Sequence, residues 1–295
     1  MSVSNLLSRK TLGIIITDKR FIVSENETII INCTACITRN SVTHKMIDAG
    51  SSITDINCVT KFPFFDGTIT NFMEAEFMIS TLLHKVSNWY NLAPKCNIAI
   101  PGITTETDHR VLIDAFNRKK CQTFYIPYII SKKLRLDNVT IIYLAERYTE
   151  IYTIRSSQIT SCSHHLLGIE ELYPLFSSLI DEIDNAEHFD VTFMDLVTRY
   201  FQQFYSILFN FYKKPSKSSE KYLINNELVN IAGHWFYTLL NNISSHKDDY
   251  GEYLVLMSDR NNIDFIGKTL TGILGTKVIS INNSLKIIAN HLSTI

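Results

Sequence analysis

The chain has 295 residues, 45% of them apolar, and 28 basic against 29 acidic side chains give a formal net charge of −1. That length suits one large core or two domains, and the apolar content separates it from disordered chains. The balanced charge excludes the strong field that draws a protein to nucleic acid or an anionic membrane.

In chain order, Leu12–Ile16 and Phe21–Val23 read as apolar strands joined by the polar turn Thr17-Asp18-Lys19-Arg20. Thr28–Ile37 is one further β-rich run. Pro63–Gly67 is a loop, after which Asn71 caps a helix with Glu74 at the acidic position of a capping box. Phe72, Ala75, Ile79, Leu82, Val86 and Trp89 recur there at helical spacing. Asn97–Ile100 is a buried-type strand ended by Pro101, and Thr104 or Thr105 caps the next helix. Phe124–Ile130 is a strand or the start of a helix. Strands follow at 138–144, 149–154 and 159–164, then helices at about 169–187, 190–212 and 226–244. The tail alternates strand 253–257, helix 263–274, strand 277–281 and helix 284–292. Strands clustered before helices, twice over, predict an α/β protein of two similar halves.

Six cysteines (Cys33, Cys36, Cys58, Cys96, Cys121, Cys162) accompany a start that lacks the apolar core of a secretory signal. No run approaches the roughly 18–20 apolar residues that cross a bilayer. Together these predict a reduced, soluble, cytoplasmic protein. Cys33-Thr34-Ala35-Cys36 has the CxxC spacing of zinc and redox sites. In a continuous strand, however, residues three apart face opposite sides, so buried free thiols are expected, with no metal. Cys162, His164 and His165 form a second small cluster. His44, His84, His109 and His188 are isolated, and no nucleophile elbow, Walker loop or dinucleotide fingerprint is present. The aromatic series Tyr200, Phe201, Phe204, Tyr205, Phe209 and Tyr212 is read first as core and second as a partner surface. Lys213–Lys221 is read as a solvated basic loop.

One stretch is specific enough to carry a resemblance. Lys61-Phe62-Pro63-Phe64-Phe65-Asp66-Gly67-Thr68-Ile69-Thr70-Asn71-Phe72 resembles the loop that precedes a long helix in actin and bacterial MreB. Pro101-Gly102-Ile103-Thr104, Arg110–Ala115, Tyr125-Ile126-Pro127 and the helix Ser284–Leu292 are similar to later MreB segments, in the same order. The resemblance implies an α/β, actin-like fold of duplicated ribonuclease H-like type, with two domains facing a cleft. Domain I is expected at 1–135 plus 283–295, and domain II at 136–282.

In that family, ATP lies between the domains. An Asp-x-Gly-Thr hairpin, an Asp-x-Gly-Gly-Gly-Thr hairpin and a triple-glycine turn hold it. Glycine lets backbone amides wrap the phosphates, and the aspartates hold magnesium or its waters. Here the ten glycines are roughly half of average usage. Matching the first hairpin puts Ile15 at the metal aspartate and Thr17 at the glycine. In the second hairpin Tyr143 replaces the aspartate, and Ala145, Glu146 and Arg147 replace the glycines. Ile126 stands at the water-positioning residue before the family proline, and an isoleucine cannot orient or deprotonate water. Ser258-Asp259-Arg260 replaces the third glycine turn. Arg147 and Arg260 are read first as pairing with Glu146 and Asp259 in a collapsed cleft, and second as phosphate contacts. Ile15, Ile16, Tyr143, Leu144 and Ile126 are expected to plug the cleft.

These losses predict no catalytic residue, no cofactor and no metal. The expected function is that of a non-catalytic actin-like, MreB-like cytoskeletal or scaffold protein, which acts on another actin-like protein or on itself as filament partner, cap or regulator. The alternative is a divergent ATP-binding protein or enzyme of the superfamily with a non-standard cleft. Membrane contact through Leu6, Leu7 and Arg9-Lys10, a meagre amphipathic segment, is disfavoured.

Overall fold

The computed structural model describes residues 10–51, 55, 57–65, 67–86, 94–117, 120–172, 226–246, 250–259 and 263–295, with backbone only for 172, 226–233 and 265. The chain divides into two compact units. One comprises Met1–Arg135 and Leu285–Ile295, and the other Leu136–Ser284.

The first unit is built on β1 (Thr11–Ile16), β2 (Arg20–Glu25) and β3 (Thr28–Thr34), which run antiparallel in succession. The chain then makes a small three-stranded sheet from β4 (Ile37–Asn40), β5 (Met46–Ala49) and β6 (Cys58–Lys61), with β4 at its centre. The run Thr28–Ile37, expected as one strand, is therefore broken. Ala35 and Cys36 are fully buried where the chain leaves one sheet for the other, so an unbroken apolar pattern hides the switch. The expected loop at Pro63–Gly67 instead forms one side of a miniature hairpin, β7 (Phe64–Phe65) with β8 (Thr68–Ile69).

Helix α1 (Phe72–Val86) starts where the Asn71 side chain accepts from the Glu74 amide at 3.2 Å. The Glu74 carboxylate pairs with Arg39 at 3.4 Å. Strands β9 (Lys95–Ile100) and β10 (Cys121–Tyr125) run parallel to β1, giving the order β10-β9-β1-β2-β3. Between them α2 (Glu106–Ala115) is capped by Thr105 in a complete capping box with Asp108. Helix α3 (Ile126–Leu134) begins directly at the end of β10, with Pro127 in its first turn. Leu12, Ile14, Ile16, Phe21, Val23, Ile98 and Ile100 face α1 and α2 and form this unit's core with Met78, Ile79, Leu82 and Leu112.

The second unit repeats the topology. Strands β11 (Asn138–Leu144), β12 (Thr149–Arg155) and β13 (Gln158–His165) are antiparallel in succession, and a 3-10 turn (Ile169–Leu172) follows. After α4 (Asn226–Ser244), β14 (Tyr253–Ser258) and β15 (Val278–Ile281) add parallel strands, with α5 (Asp264–Leu274) between them. The order is β13-β12-β11-β14-β15. Ile14 of β1 and Ile141 of β11 thus lie at matching places in two five-stranded sheets. Ile142, Leu144, Ile151, Leu254 and Leu256 pack against Trp235, Phe236 and Leu239 of α4 and Ile266 and Leu270 of α5.

The last helix, α6 (Ser284–Leu292), lies from Leu285 onward in the first unit, against the sheet face that α1 and α2 leave uncovered. Gly13 makes this close approach feasible, because a Cβ there would overlap the Ala289 carbonyl and sit 2.6 Å from the Ser293 amide. Buried Asn97 donates to the Leu292 carbonyl at 2.9 Å, and Ser24 donates to Asn290 Oδ1 at 2.7 Å. The expected helix at 190–212, its aromatic series, His188, the Lys213–Lys221 loop, Trp89 and the segment before Lys10 lie outside the described residues.

Candidate functional site

In open α/β sheets, ligands bind at the carboxyl ends of parallel strands. In the first unit those ends are the turn after β1, the Pro101–Thr104 segment after β9, and the β10–α3 junction. The turn after β1 is closed on itself. Thr17 N donates to the Arg20 carbonyl at 2.9 Å, and the Thr17 hydroxyl accepts from the Arg20 amide at 3.1 Å. Thr17 thereby consumes an amide that a glycine turn leaves to a phosphate. Ile15 and Ile126 are 1% and 2% exposed, so each belongs to the packed interior of its element rather than to a polar mouth.

In the second unit the turn Ala145–Tyr148 follows β11 and is held from several sides. The Ala145 amide donates to the Tyr148 carbonyl at 2.9 Å. The carbonyls of Ala145 and Glu146 accept from the amides of Ile169 and Glu170 at 3.1 and 2.7 Å. Gly168 allows this return segment to press on the turn, because a Cβ there would overlap the Glu146 carbonyl. The indole of Trp235 donates to the Gly168 carbonyl at 2.9 Å. The guanidinium of Arg147 pairs with Glu170 at 3.0 Å, a partner that sequence reasoning did not suggest.

Tyr143 is 1% exposed on β11, opposite Met257 of β14. Its hydroxyl donates to the Asp259 carboxylate at 3.3 Å, and the Ser284 hydroxyl donates to the same carboxylate at 3.1 Å. Burial first, and then the Asp259 charge, push the Tyr143 phenol well above its usual range, so it stays a neutral donor. Arg260, the other residue expected at this turn, lies outside the described residues.

Next to Tyr143 a polar row crosses the sheet, since Tyr143 is opposite Glu150 and Glu150 is opposite His164. Glu150 is fully buried. Its carboxylate accepts from the Tyr152 hydroxyl and lies 3.7 Å from His164 Nδ1. The Tyr148 ring bridges the row, 6.1 Å from Tyr143 and 4.9 Å from the His164 ring. Sequence reasoning missed Glu150, Tyr148, Gly168, Glu170 and Ser284. An acid inside the expected strand at 149–154 was the one readable signal.

The expected plug is corrected in part. Ile16 packs in the first unit's core and Leu144 in the second unit's core. Successive residues of a strand point to opposite faces, so Ile15 with Ile16, or Tyr143 with Leu144, cannot fill one space. Cys33 and Cys36 are free thiols, as are the other four cysteines. Burial raises the Cys33 and Cys36 thiols above their usual range. Among the described residues no group of three or more His, Cys, Asp or Glu is placed to hold a metal ion.

Comparison with known proteins places this architecture. No family model and no curated protein matches the sequence. Solved structures do match the fold. MreB 5 of Spiroplasma citri bound to AMPPNP is similar at TM-score 0.64 and 11% identity, over 97% of this chain and 95% of that one. The MamK double helical filament gives 0.64 at 9% identity, over 97% and 98%. Ethanolamine utilization protein EutJ from Carboxydothermus hydrogenoformans gives 0.57 at 10% identity, over 97% and 89%. The chain therefore has the actin-like fold, in the α/β form shared by these actin-superfamily proteins. At such identities the likeness is one of fold.

Proposed function

We propose that this chain is a non-catalytic actin-like protein that works through protein–protein contacts, as a partner, cap or regulator of a filament or as a fixed scaffold, and without a nucleotide cycle. In this reading its two actin-like domains are 1–135 plus 283–295 and 136–282, and it works in the cytoplasm. The observation that carries the reading is the closed state of the Ala145–Tyr148 turn, whose Ala145 amide already donates to the Tyr148 carbonyl and whose Arg147 pairs with Glu170. A phosphate cradle needs free amides and close approach, and this turn offers bulky side chains with Glu146 among them. The negative charge of Glu146 opposes a polyphosphate. Ile126 cannot activate water, and Tyr143 already engages Asp259.

Likeness to a MamK filament supports contact with actin-like partners or with itself. No described helix is long and apolar enough to cross a membrane. Partner assembly tests the reading. The purified chain should pellet with its assembly partner, or with itself, to the same extent with and without magnesium-ATP, and should release no phosphate. ATP-dependent pelleting or steady phosphate release contradicts it.

A further inference from the structure

We propose that the outer edge of β3 pairs antiparallel with the same strand of a second copy, making a two-fold dimer. The inference stands on the strand itself and is independent of the reading of the turn at Ala145–Tyr148. β3 ends the order β10-β9-β1-β2-β3, and among the described residues no strand lies beyond it. Edge strands are normally blunted by charge, proline, short length or a bulge. This one is seven residues long, Thr-Ile-Ile-Ile-Asn-Cys-Thr, with no charged residue and no proline. Its one blunting device is a bulge opposite Val23 and Ser24, which leaves Ile31–Thr34 as a regular stretch paired with Arg20–Val23. Ile30, beside the bulge, is 38% exposed.

Two features select a second copy as the occupant. Alongside the strand lies a cavity of about 290 Å³, lined by Ile30, Ile31, Cys33, Gly50, Leu82 and Lys85 among others. Its lining is largely aliphatic, and Lys85 is already paired with Asp48 at 3.2 Å, so it suits an aliphatic side chain. β3 supplies one, since Ile29, Ile30 and Ile31 are consecutive on it. Charge is also arranged head to tail. Arg20, opposite Thr34, leans over the strand to bond Asn32 at 3.3 Å, whereas exposed Glu27, 3.9 Å from Lys133, sits in the turn before Thr28 at the other end; Glu25 is already taken by Lys10 at 2.7 Å. Antiparallel pairing brings Arg20 of each copy towards the exposed Glu27 of the other, twice by symmetry, as an isologous contact requires.

Sedimentation equilibrium of the full chain over a concentration series tests this. The expected mass rises from one chain to two, and Ile30→Lys, a charge on an already exposed edge position, holds it at one. Arg20→Glu and Glu27→Arg each raise the dimer dissociation constant, by roughly threefold to tenfold for two exposed ion pairs. The double variant restores wild-type dimerisation. Hydrogen exchange reports the occupant, because the Thr28–Thr34 amides should gain protection only where the dimer is populated. A single-chain mass throughout, a dimer unmoved by Ile30→Lys, or no rescue in the double variant overturns the pairing. So does edge protection that persists in the dilute monomer, which would mean that another segment of the same chain covers the strand.

Discussion

The phenol of Tyr143 reaches the carboxylate of Asp259 at 3.3 Å, across neighbouring parallel strands and 116 residues of sequence. Ser284 donates to the same carboxylate, so the strand ends where an actin-like fold would receive a ligand are tied together by the chain's own side chains. Tyr143→Phe keeps the buried ring and removes only the donor. It should lower unfolding stability by about 1 kcal/mol, read from urea denaturation. An unchanged midpoint would mean the bond contributes nothing. Because the folded phenol titrates above its usual value, its contribution is complete below about pH 10 and is lost only as pH rises further.

Gly13 sets how closely α6 lies on the first sheet. Gly13→Ala forces a methyl group into the backbone of Ala289 and Ser293, an overpacking that costs roughly 1–3 kcal/mol. Loss of the Asn97–Leu292 tie should accompany it, seen as faster amide exchange in Leu285–Leu292. A variant as stable as wild type would show that the helix shifts without penalty.

His165 carries an acid sensitivity. Burial, then the neighbouring His246 and His164, hold its imidazole below the usual value of about 6.5. A depressed folded value means the unfolded chain takes up the proton first. The stabilising contribution is therefore present above about pH 6.5 and is lost as pH falls through the folded value. Between neutral and mildly acidic pH, wild type should lose more stability than His165→Gln. Parallel pH profiles for the two would remove the assignment.

How much of this was legible depended on length and on distance in sequence. Apolar runs such as Leu12–Ile16 and Asn138–Leu144 announced their strands, and the pair Thr104 and Thr105 announced a helix start without deciding which of them caps it. The two-residue strands Phe64–Phe65 and Thr68–Ile69 are too short for alternation to register. The sheet change at Ala35-Cys36 left no polar mark. At the candidate site the bulky replacements were readable one by one. Their partners were not, because Glu170 meets Arg147 from 23 residues away and Ser284 meets Asp259 from 25. Facing was missed as well, since the apolar pairs Ile15-Ile16 and Tyr143-Leu144 divide between opposite sides of their strands.

The central claim, that the chain has given up nucleotide, is tested most directly by thermal denaturation of the full-length protein against magnesium-ATP. A ligand that binds only the folded state at a hundred times its dissociation constant stabilises by about 2.7 kcal/mol, a shift of several degrees that cannot be missed. The account predicts a melting temperature that does not move up to millimolar magnesium-ATP. A saturable rise would contradict it.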